Sequence, residues 1–338
     1  MTASWLTPAG LHTNSAALPF EGRLPSLDGA TGWLNSAPLT TAELRGKVVL
    51  VSFWTFTCIN WLRQLPYVRA WAEKYGPSGL VVIGVHTPEF SFEHDADNVR
   101  RAVKDLGVEY AVALDDGYAV WEAFANHFWP ALYVADGQGR IRYHHFGEGQ
   151  YQQTEMVLQQ LLAEAGSDPG RSVVSLSPEG LEAGADWGSL RTAETYTGWA
   201  RAEGFASPGR LKPYRRTQYG VPDGLGLNEW ALSGEWTVDD EFARAEVAGA
   251  GVSHRFQARD VHLVMGPPGP QAPARYSVLL DGRPPGPAHG IDVDADGHGE
   301  VGEPRLHQLI RQPGRVAERT VEITFPEPGV QVYAFTFG

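Results

Sequence analysis

The chain has 338 residues, of which 43% are hydrophobic, and its net charge is −13. This size and composition predict substantial buried cores in two domains, and they exclude a disordered chain. The acidic balance excludes binding to nucleic acid or to an anionic membrane surface, since both depend on clustered Lys and Arg. The chain has one cysteine, no leader pattern and no long apolar run. We therefore expect a cytoplasmic protein without internal disulfides or membrane insertion.

An N-terminal segment, residues 1–23, precedes a stretch in which strand and helix patterns alternate up to residue 166. This alternation predicts an α/β domain over residues 24–166. The predicted elements are, in chain order, a buried strand at 47–53, a helix at 62–75, a strand at 80–85, helices at 95–106 and 117–127, strands at 131–134 and 141–146 joined by a turn, and a helix at 150–165.

The second half of the chain has a different pattern. Residues 167–228 are rich in Gly, Pro, Ser and Thr, which predicts a packed connector with one short helix near 190–203. Residues 229–338 contain short alternating runs between turn signals, as in an antiparallel sandwich or jelly roll. The predicted strands cover 230–236, 243–247, 252–256, 261–265, 276–280, 320–325 and 330–337.

The single cysteine, Cys58, lies between the predicted strand at 47–53 and the helix at 62–75. The free N–H groups and the dipole at a helix N-terminus favour a thiolate, which is the nucleophilic form of cysteine. Trp61 occupies the position at which a second cysteine would close a disulfide. The sequence therefore predicts an attacking thiol without a resolving thiol. We expect the Trp61 ring to be partly buried among aromatic side chains, turned towards Trp129 or the second domain.

Two polar residues, His86 and Glu89, follow the predicted strand at 80–85. That strand should run parallel to the strand before Cys58, so both residues are expected at the sheet edge where open α/β folds build their sites. An imidazole near a thiol can lower the pKa of the thiol or carry protons. The alternative is a histidine that is hydrogen-bonded to the backbone of a turn.

The residues around Cys58 resemble the thioredoxin superfamily. The string Trp54-Thr55-Phe56-Thr57-Cys58 matches the active-site turn of that family, Pro66 matches the proline that kinks its helix, and Trp129-Pro130 matches its cis-proline loop. Two positions depart from the family. Trp61 replaces the second cysteine of Cys-x-x-Cys, and Ser52 replaces a buried acid.

A wider set of strings is similar to the soluble portion of DipZ-type proteins, which join a thioredoxin-like domain to a β-sandwich related to carbohydrate-binding modules. These strings are His86-Thr87-Pro88-Glu89-Phe90, Glu194-Thr195-Tyr196-Thr197-Gly198 and Tyr333-Ala334-Phe335-Thr336-Phe337-Gly338. The resemblance implies a thioredoxin-like α/β domain joined to an all-β sandwich. It leaves open whether the sandwich binds a glycan, because sugar-stacking aromatics and core aromatics look alike in sequence.

The resemblance implies thiol-dependent redox chemistry at Cys58 on a protein or low-molecular-weight disulfide. His86 and Thr55 are the candidate catalytic companions of Cys58. The candidate substrate-binding residues are Trp54, Phe56, Trp61, Glu89, Trp129 and Pro130. Thr55 also gives a short match to the Thr-x-x-Cys of peroxiredoxins, which leaves a one-cysteine peroxidase as an alternative. A third hypothesis is a binding protein without catalysis, whose apolar groove is lined by Trp54, Phe56, Trp61, Phe128 and Trp129.

An acidic segment near the C-terminus matches the spacing of an EF-hand loop at Asp292, Asp294, Asp296 and Glu303. The preceding residues, 283–287, are rich in proline and cannot form the helix that enters such a loop. The sequence therefore predicts an acidic turn, with bound calcium as the weaker alternative. No cofactor is otherwise expected.

Overall fold

The computed structural model of the chain describes residues 17–269 and 272–338, and these residues form two β-sheets. The first sheet lies in the α/β half of the chain, and the second is antiparallel and lies in the C-terminal half. Both predicted fold types are therefore present. Most of the predicted N-terminal segment, residues 1–16, lies outside the described residues.

The first sheet has seven strands, in the spatial order β1-β7-β6-β3-β4-β5-β2. They are β1 (Gly22–Arg23), β2 (Gly32–Leu34), β3 (Val48–Trp54), β4 (Leu80–His86), β5 (Ala111–Leu114), β6 (Ala131–Ala135) and β7 (Arg140–Phe146). The central strand β3 runs parallel to β4 and antiparallel to β6. Every residue of β3 is buried, because helices cover both faces of the sheet.

Four helices belong to the α/β half: α1 (Ile59–Tyr75), α2 (Ala96–Asp105), α3 (Ala119–Ala123) and α4 (Tyr151–Glu164). Val48 and Leu50 of β3 pack on the side covered by α1 and α4, while Val49 and Val51 pack on the side covered by α3. Successive strand residues point to opposite faces, so β3 supplies both cores. Among the described residues, no helix combines the length and the apolar composition needed to cross a membrane.

The second sheet has eleven strands. They are β8 (Thr195–Tyr196), β9 (Thr217–Tyr219), β10 (Trp230–Val238), β11 (Ala243–Ala245), β12 (Ala250–Gln257), β13 (Asp260–Gly266), β14 (Ala274–Leu280), β15 (His298–Val301), β16 (Arg305–Arg311), β17 (Glu318–Phe325) and β18 (Gln331–Phe337). The main path is β15-β14-β17-β12-β10-β11-β18-β13-β16, while β8 pairs with β18 and β9 pairs with β10.

Strand β10 joins the two layers of this sandwich. Its first part pairs with β12, and its second part pairs with β9 and β11. The change of layer occurs at Gly234, whose φ of 85° lies in the left-handed region that favours glycine. A Cβ at this position would lie 3.1 Å from the Cα of Ala250. The layers enclose a core that includes the fully buried rings of Trp230 and Trp236.

The segment expected to be a connector contributes to the sandwich. Residues 190–203, all of which are described, contain the strand β8 instead of the predicted short helix. Thr195 and Tyr196 pair with Phe335 and Ala334 of β18. A strand forms in place of the helix because the backbone of this stretch makes hydrogen bonds to the edge of an existing sheet.

A third hydrophobic group lies between the two domains, and we call it the interdomain core. Its buried members from the α/β domain include Trp54, Phe56, Ile59, Trp61, Leu62, Leu65 and Phe90, and those from the sandwich are Val264, Leu306, Tyr333 and Ala334. Polar contacts surround it. The Arg63 guanidinium, on α1, binds Glu148 at 2.9 Å and donates to the carbonyl of Phe337 at 3.2 Å. The sandwich therefore packs directly against the helix that begins at Cys58.

Candidate functional site

Cys58 lies at the N-terminus of α1, after a short turn that leaves the end of β3. Its backbone is extended, with φ −75° and ψ 110°, so it is the N-cap residue of the helix. Its N–H donates to the carbonyl of Thr55 at 3.2 Å, and its carbonyl accepts from the N–H of Leu62 at 3.0 Å. The side chain is half-buried and carries a free thiol. The predicted strand-to-helix junction is confirmed.

The surroundings raise the pKa of the Cys58 thiol well above its ordinary value. Burial is the largest cause, because it disfavours the charged thiolate, and the negative charges of Glu89 and Glu194 act in the same direction. Backbone N–H groups of Trp61 and Asn60 lower the pKa, as expected at a helix N-terminus, but their effect is smaller. The predicted activation by the helix is therefore present and outweighed, so the thiol is protonated at neutral pH.

Trp61 is fully buried, whereas partial burial was expected. Its ring stacks on that of Trp54, with centroids 4.2 Å apart and an angle of 20° between the planes. Both rings belong to the interdomain core, which includes buried residues of the sandwich and does not include Trp129. The position that would carry a resolving thiol is thus filled by a large packed side chain.

His86 ends β4 beside Trp54, at the sheet edge where it is predicted. The ring is fully buried, edge-on to Trp54 and parallel to Phe56. Neither ring nitrogen has a hydrogen-bond partner among the described residues. Burial lowers the pKa of His86 to about 3, so the imidazole is neutral at physiological pH. It cannot supply a positive charge to the thiol, which removes the physical basis for the suggested activation.

Thr55 is also fully buried, and its hydroxyl has no partner among the described residues. Its carbonyl accepts the N–H of Cys58, so the residue shapes the turn before the cysteine. A peroxide-binding hydroxyl must be open to substrate and must lie beside a thiolate. The burial of Thr55 and the raised pKa of Cys58 therefore both weigh against the peroxidase alternative.

Glu93 is a buried acid beside the cysteine turn that the sequence reasoning missed. It follows β4 in a short 3₁₀ turn, Ser91–His94. One carboxylate oxygen accepts the hydroxyl of Thr57 at 2.6 Å, and the other accepts the N–H groups of Glu89 at 2.7 Å and Phe90 at 3.0 Å. Burial raises the pKa of Glu93 to about 7. The acid joins the cysteine turn to the loop that carries Glu89.

Replacement of Glu93 by alanine should lower the free energy of unfolding by about 3 kcal/mol, because buried donors of Thr57, Glu89 and Phe90 lose their acceptor. Urea denaturation at pH 7 measures this loss. Glu93→Gln keeps one carbonyl oxygen and should cost clearly less. Equal losses in the two variants would contradict the assigned hydrogen-bonding role and indicate a packing role for the side chain.

Glu89 lies at the boundary between the two domains. One oxygen of its carboxylate accepts the Tyr196 hydroxyl at 2.8 Å and the Arg201 guanidinium at 2.9 Å. The guanidinium carbon of Arg201 in turn lies 3.4 Å from the centroid of the Tyr196 ring. Both partners come from the segment predicted to be a connector. The string Glu194-Thr195-Tyr196-Thr197-Gly198 is the one feature of the sequence analysis that lies beside this contact.

The Trp129–Pro130 peptide bond is cis. The indole N–H of Trp129 donates to the carbonyl of Thr87 at 3.1 Å, which ties this loop to the end of β4. Pro130 is buried, and Trp129 is half-buried against Trp121. The neighbouring Phe128 is 50% exposed. This loop is therefore the part of the predicted aromatic surface that remains open to solvent.

The apolar groove expected for a binding protein is closed in the structure. Trp54, Phe56 and Trp61 are buried in the interdomain core, and only Phe128 and Trp129 keep exposed surface. The prediction of an open groove lined by all five residues is wrong, because sequence alone could not show that the sandwich covers the face beside α1.

Comparisons with known proteins agree with this geometry. Residues 23–162 match the Redoxin family, and residues 192–338 match a family described as a thioredoxin-like C-terminal domain. DipZ of Mycobacterium tuberculosis is 36% identical over 327 residues, which are 96% of this chain and 44% of DipZ. The chain belongs to the thioredoxin superfamily. It spans less than half the length of that relative.

Two further relatives match a shorter part of the chain. The thiol-disulfide oxidoreductase YkuV of Bacillus subtilis is 29% identical over 142 residues, which are 42% of this chain and 95% of YkuV. A solved thioredoxin-like protein in the oxidised form is 28% identical, covers 42% of this chain and 96% of its own, and has a TM-score of 0.40. The chain is therefore similar to a thiol–disulfide oxidoreductase over nearly the whole length of YkuV.

The acidic segment forms a turn before β15, as the sequence predicts, and its carboxylates have separate partners. Asp292 binds Arg305 at 2.7 Å, Asp294 accepts the N–H of His298 at 2.8 Å, and Glu303 binds Arg101 at 2.5 Å. Across residues 17–269 and 272–338, no group of acidic, histidine or cysteine side chains is arranged to hold a metal ion. The geometry does not favour the calcium alternative at Asp292, Asp294, Asp296 and Glu303.

Two tryptophans of the sandwich are too deeply buried to bind a glycan. Trp230 and Trp236 are fully buried between the layers of the sandwich, so neither ring can stack on a sugar. Aromatic side chains that remain exposed, Trp187, Trp199 and Tyr214, lie before the first long strand, β10. Trp199 and Tyr214 donate backbone N–H groups to the same turn, at the carbonyls of Asp239 and Val238.

Proposed function

We propose that this chain is a monothiol redox protein, in which Cys58 reacts with low-molecular-weight disulfides. The observation that carries the proposal is the half-buried Cys58 at the N-terminus of α1, with backbone N–H groups directed at its sulfur and a packed Trp61 in the resolving position. The similarity of the α/β half to a thiol–disulfide oxidoreductase supports it.

The reaction proceeds in two balanced exchanges. The Cys58 thiol loses its proton to solvent, and the thiolate attacks one sulfur of a disulfide RSSR. The Cys58–S–S–R bond forms as the S–S bond of the substrate breaks, and RS⁻ leaves. An external thiol then attacks the mixed disulfide, returns Cys58 to its reduced form and departs in a new disulfide. The external thiol takes the place of the missing second cysteine.

The shape of the site favours small substrates over protein disulfides. In thioredoxin-like proteins a protein substrate needs an apolar face beside the attacking sulfur. Here Trp54, Phe56 and Trp61 are buried in the interdomain core. Of the predicted aromatic surface, Trp129 and Phe128 remain open. A small disulfide needs only a narrow approach to the sulfur, and the half-buried Cys58 is more consistent with a small substrate than with a protein.

Incubation with bis(2-hydroxyethyl) disulfide should produce one mixed disulfide per chain, detected by intact mass, and reduction of insulin should stay near background. The rate should increase about tenfold for each pH unit from 7 to 9, because only the thiolate attacks and the pKa of Cys58 is raised. Cys58→Ser is the control and should form no adduct. A thiol that forms no adduct even at pH 9 would contradict the proposed function.

A further inference from the structure

The contact between Glu89 and the second domain bears directly on the cysteine. Glu93 joins the loop of Glu89 to the cysteine turn, because it accepts the N–H of Glu89 and the hydroxyl of Thr57. The charge of Glu89 raises the pKa of the Cys58 thiol. The Glu89 side chain is only 10% exposed, so solvent screens its charge weakly. The titratable groups that face Glu89 are Glu93, Tyr118, Glu194, Tyr196 and Arg201. Arg201 is the only cation among these groups.

Arg201 is held in a defined position. Its guanidinium carbon lies 3.4 Å from the centroid of the Tyr196 ring and 5.9 Å from the centroid of the Phe90 ring. Stacking on an aromatic ring reduces the freedom of a long side chain and adds a cation–π attraction. The guanidinium forms an ion pair with Glu89, in which a nitrogen of Arg201 lies 2.9 Å from a carboxylate oxygen.

Tyr196 ties this arrangement to the sandwich. Its backbone pairs with Ala334 of β18, and its side chain packs against the interdomain core, as does that of Cys58. A change in the position of β8 or β18 would thus move Arg201 and Tyr196 relative to Glu89. Two hydrogen bonds, from Tyr196 and Arg201 to one carboxylate oxygen of Glu89, connect the sandwich to the loop beside the cysteine.

We infer that Arg201 is a positioning residue of the Cys58 site, which holds and neutralises Glu89, so that the second domain governs the reactivity of the thiol. This inference deepens the proposed function and rests on it for the identity of the reactive group. It assigns to residues 192–338 a part in the redox site that a separate binding module would not have.

The test measures the rate of Cys58 alkylation by iodoacetamide between pH 7 and 10 in four proteins: wild type, Arg201→Gln, Glu89→Gln and the double variant. In Arg201→Gln the unpaired Glu89 should move the midpoint of the pH profile upwards and slow alkylation at pH 8 about threefold to tenfold. In Glu89→Gln the midpoint should move downwards. The double variant should match Glu89→Gln, because Arg201 acts through Glu89.

Two further variants separate positioning from general damage. Arg201→Lys keeps the charge and should restore most of the wild-type midpoint. Arg101→Gln removes another ion pair between the domains, that of Arg101 with Glu303, and should leave the midpoint unchanged. An equal shift in Arg101→Gln would overturn the inference, as would an Arg201→Gln effect that persists in the Glu89→Gln background.

The experiment also distinguishes this inference from the proposed function. Alkylation reports the ionisation of the thiol and does not require disulfide exchange. If the four proteins show the predicted shifts in alkylation midpoint and the chain forms no mixed disulfide, the redox function alone is contradicted. If the chain exchanges disulfides and the four proteins do not show these shifts, the role of Arg201 alone is contradicted.

Discussion

Lowering the pH from 7 to 5 should reduce the free energy of unfolding by about 5 kcal/mol, as a net result of five buried groups. Four histidines are buried and neutral: His86, His254, His262 and His307. Burial lowers the pKa to about 4 for His254 and to about 3 for the other three. Their ordinary pKa is about 6.5.

The direction of this change in stability depends on whether the folded or the unfolded chain binds the protons first. Below pH 6.5 the unfolded chain takes up a proton at each of these histidines, while the folded chain takes up none until about pH 3 to 4. Stability is therefore lost as the pH falls, by about 2 kcal/mol for each histidine between pH 7 and 5. Glu93 acts in the opposite direction, because its raised pKa means that the folded state binds its proton first.

Urea denaturation at pH 7, 6 and 5 with an unchanged m-value measures the effect. His86→Leu removes one titrating group and two unpartnered nitrogens, so it should raise the stability at pH 7 and flatten the pH dependence. The control is His127→Asn, since His127 is exposed. A pH dependence that is identical in wild type and His86→Leu would show that His86 does not titrate as its burial requires.

Replacement of Trp61 by alanine should lower the free energy of unfolding by about 3 to 5 kcal/mol, because a fully buried ring is removed from the interdomain core. The stacking partner Trp54 loses its contact at 4.2 Å, and the cavity lies one helical turn from the sulfur. We expect water in this cavity to reduce the burial of the thiol, so that small thiol reagents react faster.

A comparison of a small and a bulky thiol reagent tests the second part of this expectation. The Trp61→Ala substitution should increase the rate of Cys58 modification more for the small reagent than for the bulky one, because the sandwich still packs against α1. Trp187→Ala is a matched control, since that ring is 63% exposed and should change neither stability nor reactivity. If the substitution increases the modification rate equally for both reagents, or for neither, Trp61 does not limit access to Cys58.

Much of the α/β domain could be predicted from sequence because its signals are local. The apolar run at 47–53 became β3 (Val48–Trp54), and the cysteine lies at the predicted junction. Seven of the described strands were missed, namely β1, β2, β5, β8, β9, β15 and β16, and two of them show why. β5 (Ala111–Leu114) is short and alanine-rich, and β16 (Arg305–Arg311) carries several polar residues in buried positions, so neither resembles a typical apolar run.

The candidate site was predicted only in part, because its decisive contacts join distant residues. Arg201 meets Glu89 across 112 positions of the chain, and no periodicity in the sequence reports such a contact. His86 was placed at the correct edge, but its burial depends on Phe56 and on the packing of the sandwich. Glu93 was missed because one acid in a polar stretch looks like a surface residue until Thr57 is found beside it.

The interdomain core has a consequence for how the sequence can vary. Its apolar contacts are shared by the two halves of the chain, so each half would expose part of this core to water if the other were removed. We expect the whole chain to unfold in one cooperative step. Leu306 and Tyr333 are far along the chain from Cys58, yet they belong to the same core as Trp61, so we expect substitutions there to alter the packing beside the cysteine. The chemistry proposed for Cys58 would then constrain which mutations the sandwich can accept as the protein evolves.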